Sequence, residues 1–188
     1  MPKYQFITET LPTPTGPMTL ITDEVGRVRA ADWDDHGERR DRLMLRQYGD
    51  EVQLMQAGRP TLARAALESY FQGDFAALDA VETETGGTPF QRAVWAALRE
   101  IPPGATMSYG LLATKIGKPK AVRAVGLANG ANPIAIIVPC HRVIGADRTL
   151  TGYGGGLARK RWLIDHENSG VGGQGGLALV QPVGCGPM

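Results

Sequence analysis

Cys140 and His141 are chain neighbours in the run Ile-Ala-Ile-Ile-Val-Pro-Cys-His-Arg-Val, residues 134–143. A thiol attacks carbon only as its thiolate, and a positive neighbourhood with an imidazole close by brings that form within reach of neutral pH. Arg142 supplies the charge and His141 the imidazole, so the run could carry nucleophilic chemistry at sulfur. The competing reading is a structural cysteine buried in an apolar core. Four of the five residues from Ile134 to Val138 are β-branched, which predicts a short strand buried on both faces. Pro139 cannot donate to a sheet ladder and should end that strand, leaving the thiol held by the core yet open to a cleft.

The elements that must position this run can be read from its flanks. Upstream, Thr88 predicts a helix N-cap with Pro89 at the first helical position, and Phe90, Val94, Leu98 and Ile101 recur at helical spacing until Pro102-Pro103-Gly104 stops them. Trp95 on this helix reads as core. From Ser108 to Asn129 two short helices are expected. Ser108 caps the first, Leu111, Leu112 and Ile116 line it, Gly117 ends it and Pro119 opens the second. This is helix-turn-helix spacing, although many such pairs bind nothing. In the second helix Ala121, Ala124, Gly126 and Ala128 are small, while Lys120 and Arg123 are basic. Major-groove readers present long polar side chains to base edges. A small-faced basic helix suits the narrower minor groove of duplex DNA, where readout is degenerate. Downstream, 157–166 reads as a helix, with Glu167 at the end where the helix dipole disfavours a carboxylate; a placement that costly suggests a partner elsewhere.

The first half reads differently. Strands are predicted over 4–8, 18–22 and 27–33, separated by the Pro12-to-Pro17 cluster and by Asp23-Glu24-Val25-Gly26, as an antiparallel meander. Helices are predicted over 38–48 and 60–71, the second with Leu62, Ala66 and Tyr70 on one face. Asp34, Asp35, His36, Glu82 and Glu84 read as solvated loop residues, and no catalytic constellation emerges there. The expected fold class is therefore α/β (α+β), with an α+β unit and linker over 1–87, a mainly helical unit over 88–168 and a glycine-rich flexible tail over 169–188.

Length and composition bound the function. With 188 residues and two cysteines, Cys140 and Cys185, the chain can bury a core without a disulfide framework, and no spacing suggests a zinc cluster. No apolar stretch predicts a signal peptide or a membrane span, so a cytoplasmic protein is expected. The net charge is only +1, but it is unevenly shared: 9 Lys and Arg stand against 15 Asp and Glu in residues 1–87, and 11 against 4 in residues 88–168. The basic second half is an electrostatic footprint for phosphates, with solvated surface charge as the alternative.

The motifs Thr88-Pro89-Phe90-Gln91, Ser108-Tyr109-Gly110, Arg123-Ala124-Val125-Gly126, Asn129 to Pro133, Pro139-Cys140-His141-Arg142-Val143, Thr151-Gly152-Tyr153 and His166-Glu167 lie in one order. Together they resemble the O6-alkylguanine-DNA alkyltransferases, in particular the free-standing bacterial type; the likeness over residues 1–87 is looser. The zinc-binding four-cysteine domain of some relatives has no counterpart in the sequence. The resemblance implies a ribonuclease-H-like first domain without a nuclease site, and a short buried strand ending at an active cysteine in the second. It implies single, irreversible transfer of an alkyl group from O6 of a flipped-out guanine, or O4 of thymine, to Cys140. His141 would be the base acting through a water, Glu167 the carboxylate that orients it, Tyr109 the proton donor to guanine and the residue crowding the 3′ phosphate, and Asn132 the brace of the site. Arg123 would fill the stack, beside Lys120, Ala121, Ala124 and Gly126 on DNA. Val143, Tyr153, Gly154 and Gly155 would line the guanine pocket, with Gly154 standing where serine or alanine is common. Read alone, Arg123 is an ordinary phosphate contact and Tyr109 a core tyrosine, and His166 a surface or capping residue. The glycines around Tyr153 would let backbone approach a planar ligand. No cofactor, no membrane and no obligate protein partner are expected; double-stranded DNA, bound through the minor groove, is. Two other classes stay open: a non-catalytic protein that binds alkyl lesions, which Cys140 argues against, and a cysteine hydrolase of a small ester or amide, which would leave the basic helix pair without a purpose.

Overall fold

The computed structural model describes residues 3–170 and 178–179. Strands β1 (Tyr4–Leu11), β2 (Met18–Thr22) and β3 (Val28–Trp33) form the meander, pairing Leu11 with Met18 and Met18 with Trp33. Helix α1 (Gly37–Tyr48) then crosses to β4 (Val52–Gln56), which joins the far side of β1 in parallel, giving the order β3-β2-β1-β4. A parallel pair needs such a crossover. β4 has no sequence signature because Gln53 to Gln56 are all exposed on an edge strand, so nothing buried imposes alternation.

The two faces of this sheet serve different partners. Phe6, Ile21 and Ala30 pack with Met44 and Tyr48 of α1. Leu11, Leu20, Ala31 and Trp33 face the main core, shared with Leu67 and Tyr70 of α2 (Leu62–Phe71) and with Val94, Leu98, Leu112 and Leu163 from the second half. One apolar core thus runs through both halves of the chain. α2 starts after Thr61, whose hydroxyl accepts from the Arg64 amide, and it buries Ala63, Leu67 and Tyr70. Leu62, expected on the inner face, is 90% exposed at the first helical position.

In the second half, α3 (Pro89–Arg99) opens with the expected cap: Thr88 accepts from the Gln91 amide and Gln91 bonds back to the Thr88 amide. Trp95 is buried, its indole N–H donating to the Ala128 carbonyl at 2.8 Å. β5 (Ala105–Ser108) runs into α4 (Tyr109–Lys115), where Ser108 accepts from the Leu111 amide. Gly117 ends α4 at φ +70°, and α5 (Val122–Gly130) begins three residues after Pro119, because residues 118–121 make a separate turn. β6 (Val143–Ile144) pairs in parallel with β5, as does β7 (Ala178–Leu179) on its other side. Part of the stretch expected to be a flexible tail is therefore paired; the rest of 171–188, with Cys185, lies outside the described residues. α6 (Leu157–Gly170) runs four residues past the expected end, which leaves Glu167 in its last turn. Among the described residues no helix is long and apolar enough to cross a membrane.

The expected strand before Cys140 is not one. Ile134 to Val138 is buried, but only Ile134 makes a bridge, to Ala31, and Ile136 has φ +69°. The segment folds as a turn because the Asn132 side chain does what a neighbouring strand would. Its oxygen accepts from the Ile134 amide, its Nδ2 donates to the carbonyls of Ile134 and Val138, and the Val138 amide closes onto Ile134. An apolar run reports burial, and periodicity alone cannot separate such a turn from a strand.

Candidate active site

Cys140 begins a single 3-10 turn, Cys140–Arg142, directly after this buried turn. Asn132 donates from Nδ2 to its Sγ at 3.0 Å, so one amide braces the backbone and touches the sulfur. The thiol is only 5% exposed, so the expected opening to a cleft is closed off at the sulfur in this state. The expected lowering of the thiol pKa is reversed as well. Burial pushes the Cys140 thiol up, against the Asn132 hydrogen bond and the positive charges of Arg39 and Lys160, which pull it down.

Arg142 does not face the thiol. It turns to Glu167, with Nε 3.0 Å from Oε2 and Nη2 2.9 Å from Oε1, and also donates to the Ile101 carbonyl. Glu167 collects further donors: His141 Nε2 and the Tyr70 hydroxyl, each 2.8 Å from Oε1, and the Gly104 amide, 3.1 Å from Oε2. These answer the unfavourable dipole at the end of α6. Burial raises the Glu167 pKa, but His141 and Arg142 outweigh it and hold the carboxyl well below the usual range. Burial lowers the His141 pKa despite Glu167, so the imidazole is neutral near pH 7. A carboxylate can only accept, so Nε2 carries the hydrogen and Nδ1 keeps a free lone pair.

That Nδ1 is buried without a hydrogen-bond partner, as are Asn129 Oδ1 and the Tyr153 hydroxyl. Unpartnered buried polar atoms are costly, and each of these three belongs to a residue linked to Cys140. Asn129 donates to the Cys140 carbonyl at 3.4 Å, His141 follows Cys140 in the chain, and the raised pKa of Tyr153, set mainly by burial, is raised further by charge on Cys140. They are the atoms a polar planar ligand or a water would satisfy. Tyr109 stands half-buried at the start of α4, its hydroxyl interacting with Thr151 and Asn129; burial raises its pKa and keeps it a donor. Val143 is buried in β6, paired with Met107.

The loop carrying Tyr153 closes on the first half of the chain. The Tyr153 ring meets Trp33 edge-on, with centroids 6.1 Å apart. A Cβ on Gly155 would lie 2.4 Å from the Trp33 ring, and one on Gly154 would lie 2.6 Å from the Arg39 guanidinium. The planar groups that these glycines admit are therefore the protein's own, and Arg39 fills the room a side chain at 154 would take. Arg39 also pairs with buried Asp32 and donates to the carbonyls of Gly130 and Asn132 at 2.8 and 2.9 Å. Lys160, fully buried on α6, donates to the Thr151 carbonyl at 2.7 Å; burial lowers its pKa to about 8 although Cys140 opposes this.

On α5 the small residues divide. Ala128 is buried and Gly126 faces the Tyr109 ring, so they serve packing, while Ala121 is half-buried and Ala124 exposed. Lys120 and Arg123 are exposed and form no ion pair with described residues. Tyr70, Asn129, Arg39 and Lys160 were not singled out from sequence as site residues, and Arg142 was read there only as a charge beside the thiol. Only Lys160 left a local signal there, a lysine on the inner face of a predicted helix. His166, read as a surface or capping residue, is half-buried, stacked on Trp162 and bonded to the Tyr70 carbonyl in the last turn of α2.

Comparison with known proteins gives a consistent picture. Residues 89–169 match the family described as 6-O-methylguanine DNA methyltransferase, DNA binding domain. The chain is 50% identical over 164 residues to the methylated-DNA--protein-cysteine methyltransferase of Salmonella typhimurium, covering 87% of this chain and 96% of that protein. It is 61% identical over 103 residues to the protein of the same name from Mycobacterium bovis, covering 55% and 62%. The crystal structure of Mycobacterium tuberculosis OGT in complex with DNA superposes with a TM-score of 0.71 at 42% identity, covering 88% of this chain and 94% of that one.

Proposed function

The chain belongs to the methylated-DNA--protein-cysteine methyltransferases, DNA-repair proteins, and on that premise we propose that Cys140 takes the alkyl group from O6 of a guanine swung out of duplex DNA, once and irreversibly. The observation that carries this reading is the free Nδ1 of His141. It is buried on the residue that follows Cys140 in the chain, and the bond from Nε2 to Glu167 leaves it able to accept a proton.

The steps follow from the groups present. The Cys140 Sγ–H proton passes to His141 Nδ1 through a water, and Glu167 offsets the imidazolium charge that results. The Asn132 amide, already on Sγ, steadies the thiolate and aims it. Sulfur then attacks the alkyl carbon in line; the C–S bond forms as the C–O6 bond breaks and its electron pair goes to O6. Tyr109 donates its proton to that oxygen, so a neutral guanine leaves, and the imidazolium restores the phenol. In sum, the thiol proton ends on guanine and the alkyl group on sulfur. A thioether does not reverse under mild conditions, so each chain acts once.

Because the sulfur is shut away, the base must be brought to it. Extruding a nucleotide costs a few kcal/mol. α4 and α5 form the helix-turn-helix that docks in the minor groove, and exposed Arg123 is free to take the place of the lost base. The base would lie between Tyr109 and the Tyr153 loop, accepted by the Val143 carbonyl. The strand order 3-2-1-4, with β1 and β4 parallel, supports the ribonuclease-H-like reading of the first half. Incubation with a duplex containing O6-methylguanine should add about 14 Da once per chain, on the peptide holding Cys140. An unchanged mass with tight duplex binding, or modification of another residue, would overturn the assignment.

A further inference from the structure

Arg123, Ala124, Leu127 and Gly130 are all exposed and recur at steps of three and four, which makes them one stripe along α5, and exposed Lys120 lies in the turn just before the helix. Val125, Ala128 and Asn129 form the buried stripe opposite. Leu127 is 73% exposed. A solitary exposed leucine is ordinary, but its setting here is not. Its neighbours along the stripe are an alanine and a glycine, so the isobutyl group projects beyond the helix surface, one turn from Arg123. The whole stretch from Ala105 to Ala146, which builds α4, α5 and the cysteine turn, contains no Asp or Glu. An apolar knob beside cations, on a stretch of chain without acidic residues, matches a polyanion that has apolar walls. The minor groove of duplex DNA is such a surface, with phosphates on its rims and deoxyribose C–H groups along its sides.

We propose that Leu127 seats against the deoxyribose wall of the minor groove, one turn of α5 beyond Arg123, as an apolar anchor whose contribution does not depend on salt. The proposal rests on the DNA-repair reading above and adds to it a contact that charge does not supply. Its test is titration of the full chain with an unmodified duplex across a salt series. Leu127→Ala should weaken binding about tenfold at every salt concentration, the loss expected for exposing most of a leucine side chain. Leu127→Met should restore most of it, and the melting temperature should hardly move, since the side chain is 73% exposed in the free protein. Lys120→Ala should instead flatten the dependence of log K on log salt by about one phosphate contact. Parent-like affinity of Leu127→Ala, with Lys120→Ala and Arg123→Ala both weakened, would remove the anchor and leave the DNA reading standing. Parent-like affinity of all three variants would show that α5 does not face DNA, and the proposal would fall with that assignment. Loss of self-association without loss of DNA affinity would give Leu127 to a protein contact and overturn it too.

Discussion

Replacing Glu167 by glutamine changes one oxygen for an amide and should dismantle the charge cluster beneath the site. Glu167 is 1% exposed and accepts from His141, Arg142, Tyr70 and the Gly104 amide at once. An amide keeps one acceptor, but its NH2 must point at another donor, and the buried Arg142 charge loses its counter-ion. Breaking a buried pair from one side costs ~3–5 kcal/mol, and the retained oxygen favours the lower end. In a protein of this size about 3 kcal/mol lowers the melting temperature by about 6–12 °C. Added salt should not reproduce the effect, because a buried pair is weakly screened. The pH profile gives a second handle. Glu167 has its folded pKa depressed, so its stabilisation is complete above the unfolded value near 4.5 and fades as pH falls toward the folded one. His141, also depressed by burial, loses stability in the same direction, starting near its unfolded value of 6.5. Glu167→Gln should therefore be less stable than the parent at pH 7 and lose less as pH falls below about 4.5, where the parent's carboxylate begins to take up its proton. Transfer to Cys140 should slow by about 10²-fold, the contribution of an oriented general base. Thermal melts at several pH values and single-turnover transfer together decide the matter. A variant that melts with the parent and transfers at its rate would refute the reasoning.

Other expectations are simpler to test. Tyr70→Phe removes one hydrogen bond to a charged acceptor and should cost about 1.5–3 kcal/mol by denaturant unfolding, less than Glu167→Gln. Cys140→Ser should abolish transfer, read by protein mass, while duplex binding by gel shift persists; loss of both would make the thiol chiefly structural. Arg123→Ala should slow transfer from duplex far more than transfer from a free O6-alkylguanine, and equal slowing would remove its role in the stack. Gly155→Ala forces a methyl group against the Trp33 ring and should lower stability by about 1–3 kcal/mol, whereas an unchanged melt would mean that the loop can lift away.

What the sequence made legible was local. Thr88 and Ser108 cap the helices they precede because a cap depends on residues within three positions. Leu62 and β4 escaped the reading for lack of burial: an exposed first-turn leucine and an exposed edge strand give the pattern nothing to register. The residues from Ile134 to Val138 were legible as core, but their shape depends on a side chain two residues upstream, which hydrophobicity does not encode. For the site, Cys140, His141 and Glu167 could be named from motifs, yet the support of Glu167 by Tyr70, 97 positions away, could not. Arg142 was assigned to the thiol because it is near in sequence, and the fold spends it on the carboxylate.

Arg39 also bears on how this protein can be taken apart. From the start of α1 it reaches Asp32 on β3 and the carbonyls of Gly130 and Asn132, where α5 hands over to the cysteine turn. Cutting the chain after residue 87 would remove that guanidinium together with the Tyr70 hydroxyl and the Trp33 ring. A fragment beginning at residue 88 would keep every motif residue from Thr88 to Glu167 yet expose the underside of its own reaction centre to solvent. Recombinant dissection should therefore yield a piece with the family's signature and little of its competence, restorable only by supplying the acidic half in trans.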